Sequence, residues 1–297
     1  MNESLEDGNI AWAIVEESED ADSLLGDDDK DKEENKDSEK EETKDSEKEE
    51  EKDEKSEEDE EKKEDESSKD EENNKNSENA KVLRLKAGEE VLVCDGEGNE
   101  CRCAVDRMDA KEVELSVLER MASETEAAVR VSIYMAFPKA DKLEHVIQKA
   151  TELGAYEIVA FPTSRCVSRP DEKSLGKKVE RWQKIAASAA EQSGRGRIPR
   201  VLTLPSYAAA LERAAKADKA ILFYENEQAT TLRMALEQGS AKTFSLLTGP
   251  EGGLDIKEVE QAEKAGLAVC TLGKRILRCE TAPLCALSAV MYASGEF

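Results

Sequence analysis

The sequence of 297 residues has very few of the residues on which several common kinds of site depend. It contains one histidine, His145, so neither a His-based metal site nor a histidine relay is available, and we expect His145 to be a surface or structural residue. Its seven cysteines are too few and too scattered for a disulfide framework, and their odd number leaves at least one thiol unpaired, which favours a reducing compartment. The sequence also has neither a serine nucleophile elbow nor a Walker loop. From these absences we expect no metal ion.

Long hydrophobic runs are also missing. The most apolar run near the N-terminus, residues 10–15 (IAWAIV), is far shorter than the roughly 20 residues that a membrane span needs, and no basic segment precedes it. A leader that directs a protein to an organelle is rich in Arg and poor in acidic residues, and this N-terminal region is the reverse. We therefore expect no membrane partner and a cytoplasmic location, with an organellar one left open.

The charge is unevenly placed along the chain. The 43 Lys and Arg residues against 69 Asp and Glu residues give a net charge of −26. Residues 17–80 alone hold 33 acidic and 12 basic residues, whereas residues 81–297 are almost neutral, with 32 acidic and 31 basic residues. Low hydrophobicity with high net charge predicts that residues 17–80 are a disordered acidic segment. Two other interpretations stay open: a solvated single helix supported by pairs such as Glu51 with Lys55, and an acidic tract that mimics nucleic acid and occupies a basic protein or the chain's own RNA surface.

Residues 81–126 alternate apolar and polar side chains, which is typical of short β-strands. Strands are predicted at 91–94, 101–105 and 111–118. Gly96 and Gly98 lie between the first two, and because no helix start follows them they predict a hairpin turn rather than a phosphate-binding loop. Cys101 and Cys103 fall on one strand face without a second pair of ligands, so they do not predict a metal site. So few strands need a packing partner to be stable.

From residue 127 to 297 strand-like and helix-like segments alternate, which predicts an α/β domain with a largely parallel sheet. We predict strands at 130–136, 157–161, 199–203, 219–224, 243–248 and 267–272. The first helix is predicted at about 140–153, ending at Gly154. Further helices are predicted to begin near Asp255 and between Glu280 and Pro283.

Two strands of this domain run directly into glycine-bearing loops. Residues 244–253 (FSLLTGPEGG) combine an apolar strand with a loop that only glycines can turn, and residues 269–278 (VCTLGKRILR) end in a short basic loop. Ligands of α/β proteins bind beyond the carboxyl ends of the strands. Two such loops in succession, one with a carboxylate and one with three cations, therefore predict a ligand site.

A basic region lies between the first helix and these loops. Residues 165–200 contain ten Lys and Arg residues and only four Asp and Glu residues. A cluster of this kind is often a solvated helix face, but next to a ligand-binding loop it suits a phosphate backbone.

Five segments together resemble the RsmE-type small-subunit ribosomal RNA uridine-N3 methyltransferases, over about residues 81–297. They are residues 147–154 (IQKATELG), 181–185 (RWQKI), 190–195 (AEQSGR), 247–253 (LTGPEGG) and 272–282 (LGKRILRCETA). The resemblance implies a SPOUT-type α/β methyltransferase domain with a trefoil knot at residues 127–297, and a PUA-like β-barrel that helps to grip RNA at residues 81–126. It also implies S-adenosylmethionine as cofactor, a homodimer, and small-subunit ribosomal RNA or a 30S-type subunit as partner.

The resemblance assigns roles to individual residues. It implies cofactor contacts from Glu225, Thr248, Gly249, Pro250, Glu251, Gly252, Leu272, Gly273, Ile276 and Leu277. It places Arg275 and Arg278 near the transferred methyl group, where cations steady the uracil as negative charge develops. Glu280 is the nearest candidate for the base that removes the N3 proton, and with equal weight it caps the last helix. Contacts with RNA are expected from Arg84, Lys86, Arg165, Arg169, Arg195 and Arg197.

The sequence departs from this family at several points. Lys274 and Cys279 stand where the family usually has Pro and Thr. The acidic segment replaces the basic, aromatic strand and histidine pair with which the family opens, so we expect an incomplete barrel, with at most a remnant strand in residues 1–16. The sequence thus predicts a uridine-N3 methyltransferase. Alternatives are a non-catalytic RNA-binding or assembly factor that retains the fold, and an acidic chaperone of basic proteins driven by residues 17–80.

Overall fold

A computed structural model describes residues 10–12, 86–108, 113–170, 172–237 and 239–297. The acidic segment at 17–80, predicted to be disordered, and Arg84, predicted to contact RNA, lie outside the described residues. The described residues divide into two compact units, one drawn from residues 1–92 and 102–119 and the other from residues 93–101 and 120–297. Within the described ranges, every helix is too short or too polar to span a bilayer.

Four N-terminal strands form one sheet in the order β1-β2-β3-β4. They are β1 (Ile10–Trp12), β2 (Glu90–Cys94), β3 (Asn99–Met108) and β4 (Val113–Ala122). The hairpin and the further strand predicted from the alternation are confirmed. The short β1 lies at one edge of this sheet, within the segment for which the sequence predicts at most a remnant strand.

The turn between β2 and β3 is built by one aspartate and two glycines. The side chain of Asp95 accepts hydrogen bonds from the backbone N–H groups of Glu97 and Asn99. Gly96 and Gly98 have φ angles of 75° and 102°, which favour glycine because other side chains are strained there. The two glycines therefore serve a turn, as the sequence predicts.

The first unit carries an ion-pair network on its surface. Arg102 of β3 lies 3.6 Å from a carboxylate oxygen of Glu90 and 3.0 Å from one of Glu119. All three side chains are well exposed, so each pair contributes at most about 1 kcal/mol to stability. Lys86, predicted to contact RNA, is also exposed in this unit.

The second unit is built on a six-stranded sheet in the order β10-β8-β9-β5-β6-β7. The strands are β5 (Arg130–Ala136), β6 (Glu157–Phe161), β7 (Arg200–Thr203), β8 (Lys219–Phe223), β9 (Thr243–Thr248) and β10 (Ala268–Cys270). All neighbouring pairs are parallel. The predicted parallel α/β domain is therefore confirmed, with strand ends that differ from the prediction by at most two residues.

Helices cover both faces of this sheet. They are α1 (Lys142–Glu152), α2 (Glu172–Ser193), α3 (Tyr207–Ala214), α4 (Leu232–Glu237), α5 (Ile256–Lys264) and α6 (Thr281–Ala293). Side chains alternate along each strand, so Ile133 and Met135 of β5 join one hydrophobic core and Tyr134 and Ala136 join the other. Residues of α1, α2, α4 and α6 complete the first core, and residues of α3 and α5 complete the second. All five residues of β6 are buried, as expected of a parallel strand covered on both faces.

Helix α1 begins two residues later than predicted. Ala140 has a φ of 53° and, among the described residues, is the one non-glycine residue with a positive φ, so the helix cannot include it. The apolar face of α1 is buried as predicted, and His145 is exposed on the other side of the helix. The helix ends at Glu152, and the φ of 88° at Gly154 allows the chain to turn after its last turn.

Candidate active site

A cavity of about 430 Å³ opens at the carboxyl ends of β8, β9 and β10. Three loops form it: the β8 loop (residues 224–225), the β9 loop (residues 248–253) and the β10 loop (residues 271–280), with further contributions from Lys142 of α1 and Ala282 of α6. Its lining includes Glu225, Thr248, Gly249, Pro250, Glu251, Gly252, Leu272, Gly273, Arg275, Ile276, Leu277 and Arg278. The fold thus brings together all ten residues that the sequence assigns to the cofactor and both arginines that it assigns to catalysis.

The β9 loop lies against the β8 loop because it ends in glycine. Gly253 has a φ of 66°, and a Cβ atom on this residue would overlap Oε1 of Glu225. A Cβ on Gly249 would lie 3.0 Å from Cγ of Leu254. The carboxylate of Glu225 can therefore approach the backbone of the β9 loop only while residue 253 has no side chain.

The helix that follows the β9 loop begins where the sequence predicts. The side chain of Asp255 accepts a hydrogen bond from the N–H of Lys257, and Glu258 accepts one from the N–H of Asp255 at 2.9 Å, which together form a capping box. Arg165 donates to the carbonyl oxygen of Gly252 and to Asp255, both at 3.2 Å. These contacts hold the β9 loop against the start of α5.

The β10 loop is exposed where it carries its cations. Lys274, Arg275 and Arg278 are exposed, and within the described part of the chain neither guanidinium makes a hydrogen bond or an ion pair. Ile276 is 83% exposed, although it lines the cavity. Near the end of the loop Cys279 is buried, and its burial raises the pKa of the thiol to about 12. The two arginines are thus free to meet a ligand in the cavity.

Glu280 occupies the N-cap position of α6, but its side chain makes no capping hydrogen bond. Its carboxylate instead lies 3.2 Å from Nζ of Lys142 and accepts a hydrogen bond from the thiol of Cys279 at 3.2 Å. A hydrogen bond from its own backbone N–H lowers the pKa of Glu280, and despite some desolvation the contacts with Cys279 and Lys142 lower it further. Of the two roles considered for Glu280, the side-chain cap is therefore not made, because the carboxylate is turned toward Lys142.

Lys142 is the site residue that sequence reasoning missed. Its Nζ atom lies 3.0 Å from Oε1 of Glu251 and 3.2 Å from Oε2 of Glu280. Glu251 also accepts a hydrogen bond from the backbone N–H of Lys139 at 3.0 Å. Burial raises the pKa of Glu251, but these two hydrogen bonds outweigh it and leave the pKa below its ordinary value. The sequence feature that could have identified Lys142 is its place in the first turn of a helix, where the helix dipole disfavours a cation.

Arg195, predicted to contact RNA, is buried inside the second unit. Its guanidinium lies 2.7 Å from Glu126 and also donates to the carbonyl oxygens of Thr151 and Ala155, at 3.0 and 2.8 Å. Only 6% of its side chain is exposed. This geometry gives Arg195 a structural role in place of an RNA contact, because four of its five N–H donors bond within the unit and little of its side chain is exposed.

Of the other cations predicted to contact RNA, those within the described residues are at least partly accessible. Arg165 and Arg169 are exposed after β6, and Arg169 donates to the carbonyl oxygen of Thr163. Arg197 is partly buried, with its guanidinium 5.3 Å from the centre of the Tyr156 ring. Helix α2 adds an exposed basic face formed by Lys173, Lys177, Lys178, Arg181 and Lys184. The second unit therefore presents a surface that suits a phosphate backbone.

No group of three or more His, Cys, Asp or Glu side chains suited to a metal ion is found in the portion of the chain that the structure describes. A parallel sheet with a cavity built by glycine-bearing loops at its strand ends defines the class of α/β proteins whose small organic ligands bind at the carboxyl ends of the strands.

Comparison with known proteins identifies the family. A model described as an RNA methyltransferase domain matches residues 125–291, and one described as an RNA methyltransferase PUA domain matches residues 80–118. The chain belongs to the RNA methyltransferase family. The resemblance and the fold class predicted from the sequence are confirmed by these matches.

Individual relatives agree with this assignment. The chain is 39% identical over 218 residues to ribosomal RNA small subunit methyltransferase E of Bacillus subtilis, covering 71% of this chain and 84% of the relative. It is 34% identical to the protein of that name from Mycobacterium bovis, covering 71% and 81%. The crystal structure of ribosomal RNA small subunit methyltransferase E from Neisseria gonorrhoeae, bound to S-adenosyl methionine, is similar with a TM-score of 0.65 and 30% identity, covering 74% of this chain and 89% of that one.

Proposed function

We propose that this protein transfers a methyl group from S-adenosylmethionine to N3 of a uridine in small-subunit ribosomal RNA. The observation that carries the proposal is the cavity at the ends of β8, β9 and β10, which gathers all the residues expected to hold this cofactor in a chain of the RNA methyltransferase family. We place the reaction in the cytoplasm, where bacterial small subunits are assembled.

The cavity residues fit S-adenosylmethionine. Gly253 leaves a space against Glu225 that a Cβ would fill, and this brings a carboxylate and backbone N–H and carbonyl groups to one side of the cavity. Those groups suit the hydroxyl and amino groups of the cofactor. Leu272, Ile276 and Leu277 supply apolar surface for its adenine ring. When bound, the cofactor supplies an activated methyl group on its sulfonium.

The chain's own residues would act on the uracil. The N3 proton has to leave before or as the methyl group arrives, and negative charge then develops on the imide. Arg275 and Arg278 are exposed on the β10 loop, and among the described residues their guanidinium groups have no hydrogen-bond or ion-pair partner, so they are available to stabilise that charge. Glu280 is ion-paired and its pKa is lowered, which makes it a weaker base than an isolated carboxylate. We therefore assign Glu280 to positioning and leave proton removal to another group.

The substrate would lie on the basic surface of the second unit. Arg165 is attached to the β9 loop through the Gly252 carbonyl oxygen, so an RNA that contacts Arg165 also lies near the cavity. The exposed cations of α2 would hold the phosphate backbone, which fixes position but carries no sequence information. Salt should weaken RNA binding accordingly.

The active form would be a homodimer. Ile276 is 83% exposed on the β10 loop of the proposed site, and Tyr292 is 74% exposed near the end of α6; both exposures are large for side chains with so much apolar surface. A second copy of the chain would cover them. Sedimentation analysis tests this: a species of twice the chain mass supports the dimer, and a single chain mass at micromolar concentration argues against it.

The decisive experiment is an assay of the product. Purified protein is incubated with labelled S-adenosylmethionine and small subunits that lack the modification, and the digested RNA is analysed by mass spectrometry. The proposal predicts 3-methyluridine at one position. Cofactor binding without any methylated nucleoside would instead favour a non-catalytic RNA-binding or assembly factor, and absence of cofactor binding would exclude the enzyme.

A further inference from the structure

Lys142 links two loops that are far apart in sequence but adjacent at the cavity. An ammonium group has three N–H donors. Here they face Glu251 on the β9 loop at 3.0 Å, and Glu280 at 3.2 Å and the Cys279 sulfur at 3.7 Å at the end of the β10 loop. Lys142 also lines the cavity itself. One side chain of α1 therefore anchors both loops that carry most of the proposed cofactor contacts.

The placement of Lys142 is not explained by the stability of its helix. A cation at a helix N-terminus meets the positive end of the dipole, and Asp141, at the N-cap, makes no side-chain capping bond. The turn before it contains the positive φ of Ala140, a conformation that costs energy in a residue with a Cβ atom. The same turn places the Lys139 N–H 3.0 Å from Glu251. The strained turn and the unfavourable position of Lys142 in the helix thus each bring a hydrogen-bond donor to the β9 loop.

Without Lys142 the two loops would separate. Glu251 and Glu280 would face each other as two partly buried carboxylates without the cation between them, and like charges repel. Within the β10 loop Arg275 and Arg278 are exposed, so the end of the loop needs an anchor if these arginines are to keep their position.

We propose that Lys142 is a positioning residue that acts through Glu251 and Glu280 to hold the β9 and β10 loops at the spacing required for S-adenosylmethionine binding and methyl transfer. The inference rests on the proposed function. It adds to that function a residue outside the two loops, on the helix that follows β5.

The test compares Lys142→Met with a matched control on the same helix. Lys149→Met removes a lysine that pairs with Glu152 at 2.6 Å but does not line the cavity. Affinity for S-adenosylmethionine is measured by calorimetry, kcat and KM by methyl transfer, and folding by the thermal midpoint. We expect Lys142→Met to weaken cofactor binding roughly tenfold, the loss expected when one partner of a charged hydrogen bond is removed. Lys149→Met should bind the cofactor as the original protein does.

Two more variants separate positioning from a general loss of structure. Lys142→Arg should restore most of the affinity, because it retains the charge. Glu280→Gln should also weaken binding, and adding it to Lys142→Met should cause little further loss, because both changes remove the same contact. Additive losses, no rescue by Arg, or a fall in thermal midpoint well beyond that of Lys149→Met would overturn the proposal.

The affinity measurement also distinguishes this inference from the proposed function. If the original protein binds the cofactor but methylates no ribosomal RNA, the proposed substrate is wrong, while the effect of Lys142→Met on cofactor affinity still decides the role of Lys142. Unchanged affinity in Lys142→Met and in Glu280→Gln would refute it whatever the substrate is.

Discussion

Replacement of Arg195 by Met should destabilise the second unit strongly and leave the RNA surface intact. The guanidinium is 6% exposed and makes two hydrogen bonds to Glu126, at 3.2 and 2.7 Å, and one each to two backbone carbonyl oxygens. Removing it takes the cation from the Glu126 carboxylate, which is 18% exposed and keeps, among the described residues, only the N–H of Arg197 as a donor. The carbonyl oxygen of Thr151 keeps the N–H of Gly154, whereas that of Ala155 loses the donor that Arg195 supplies. Breaking a buried ion pair in this way costs about 3–5 kcal/mol. In a unit of this size that corresponds to a fall in Tm of roughly 6–20 °C.

The assay is urea unfolding followed by circular dichroism, with RNA affinity measured on the folded fraction. Arg197→Met is the control, since Arg197 is partly exposed and stacks on Tyr156. It should lose less stability and more RNA affinity than Arg195→Met. If Arg195→Met lowered RNA affinity while the free energy of unfolding stayed unchanged, Arg195 would contact RNA as the sequence suggested, and the structural role would be refuted.

Three further predictions concern the cavity. Gly253→Ala should weaken binding of S-adenosylmethionine, because the new Cβ overlaps the carboxylate on the β8 loop. The control is Gly266→Ala, at a residue with a similar positive φ but with no atom within 4 Å of the new Cβ. It should lower stability and leave cofactor binding unchanged. Arg278→Ala should lower kcat much more than the free energy of unfolding, because the side chain is exposed. Glu251 and Glu280 have pKa values below their ordinary 4.5, so their stabilising contribution is present above that pH and is lost as the pH falls through the lowered values.

Each of these predictions has its own control. Equal losses of cofactor affinity in the two glycine variants would show that backbone strain alone is responsible. For Arg278→Ala, the matched variant is Arg233→Ala, whose side chain is 85% exposed in an i, i+4 pair with Glu237. A parallel loss of activity and stability would make Arg278 structural. For the carboxylates, thermal stability is measured as a function of pH. In Glu280→Gln the fall of stability at acid pH should be less steep than in the original protein, and an unchanged slope would show that Glu280 does not contribute to it.

The positions of the strands followed from local sequence because a buried parallel strand is a continuous apolar run bounded by turn residues. The last strand is the exception. It was predicted at 267–272, but the strand ends at Cys270. The carbonyl oxygen of Thr271 instead accepts a hydrogen bond from the N–H of Leu232, and the N–H of Thr271 donates to the carbonyl oxygen of Thr230. These partners lie about forty residues earlier in the sequence, so local sequence does not predict them.

The site was predictable to the extent that its residues are contiguous. The β9 and β10 loops carry recognisable glycine-bearing segments, and both line the cavity. Lys142 was not found because its partners Glu251 and Glu280 lie more than a hundred residues away in the sequence. Arg195 was misplaced for the opposite reason. Within a Gly-Arg-Gly-Arg segment it looks like part of a basic loop, and only its burial against Glu126 shows otherwise.

The sequence by itself determined the α/β class, the order of strands and helices, the two loops of the cavity and the family, because each of these depends on short-range periodicity or on contiguous motifs. The tertiary structure decided which charged side chains meet, and so which cations are exposed and which are anchored. Burial and pairing energies depend on distances between segments remote in sequence. For that reason only the structure shows that Arg195 forms a buried ion pair, that the Glu280 side chain does not cap its helix, and that Lys142 contacts two loops of the site.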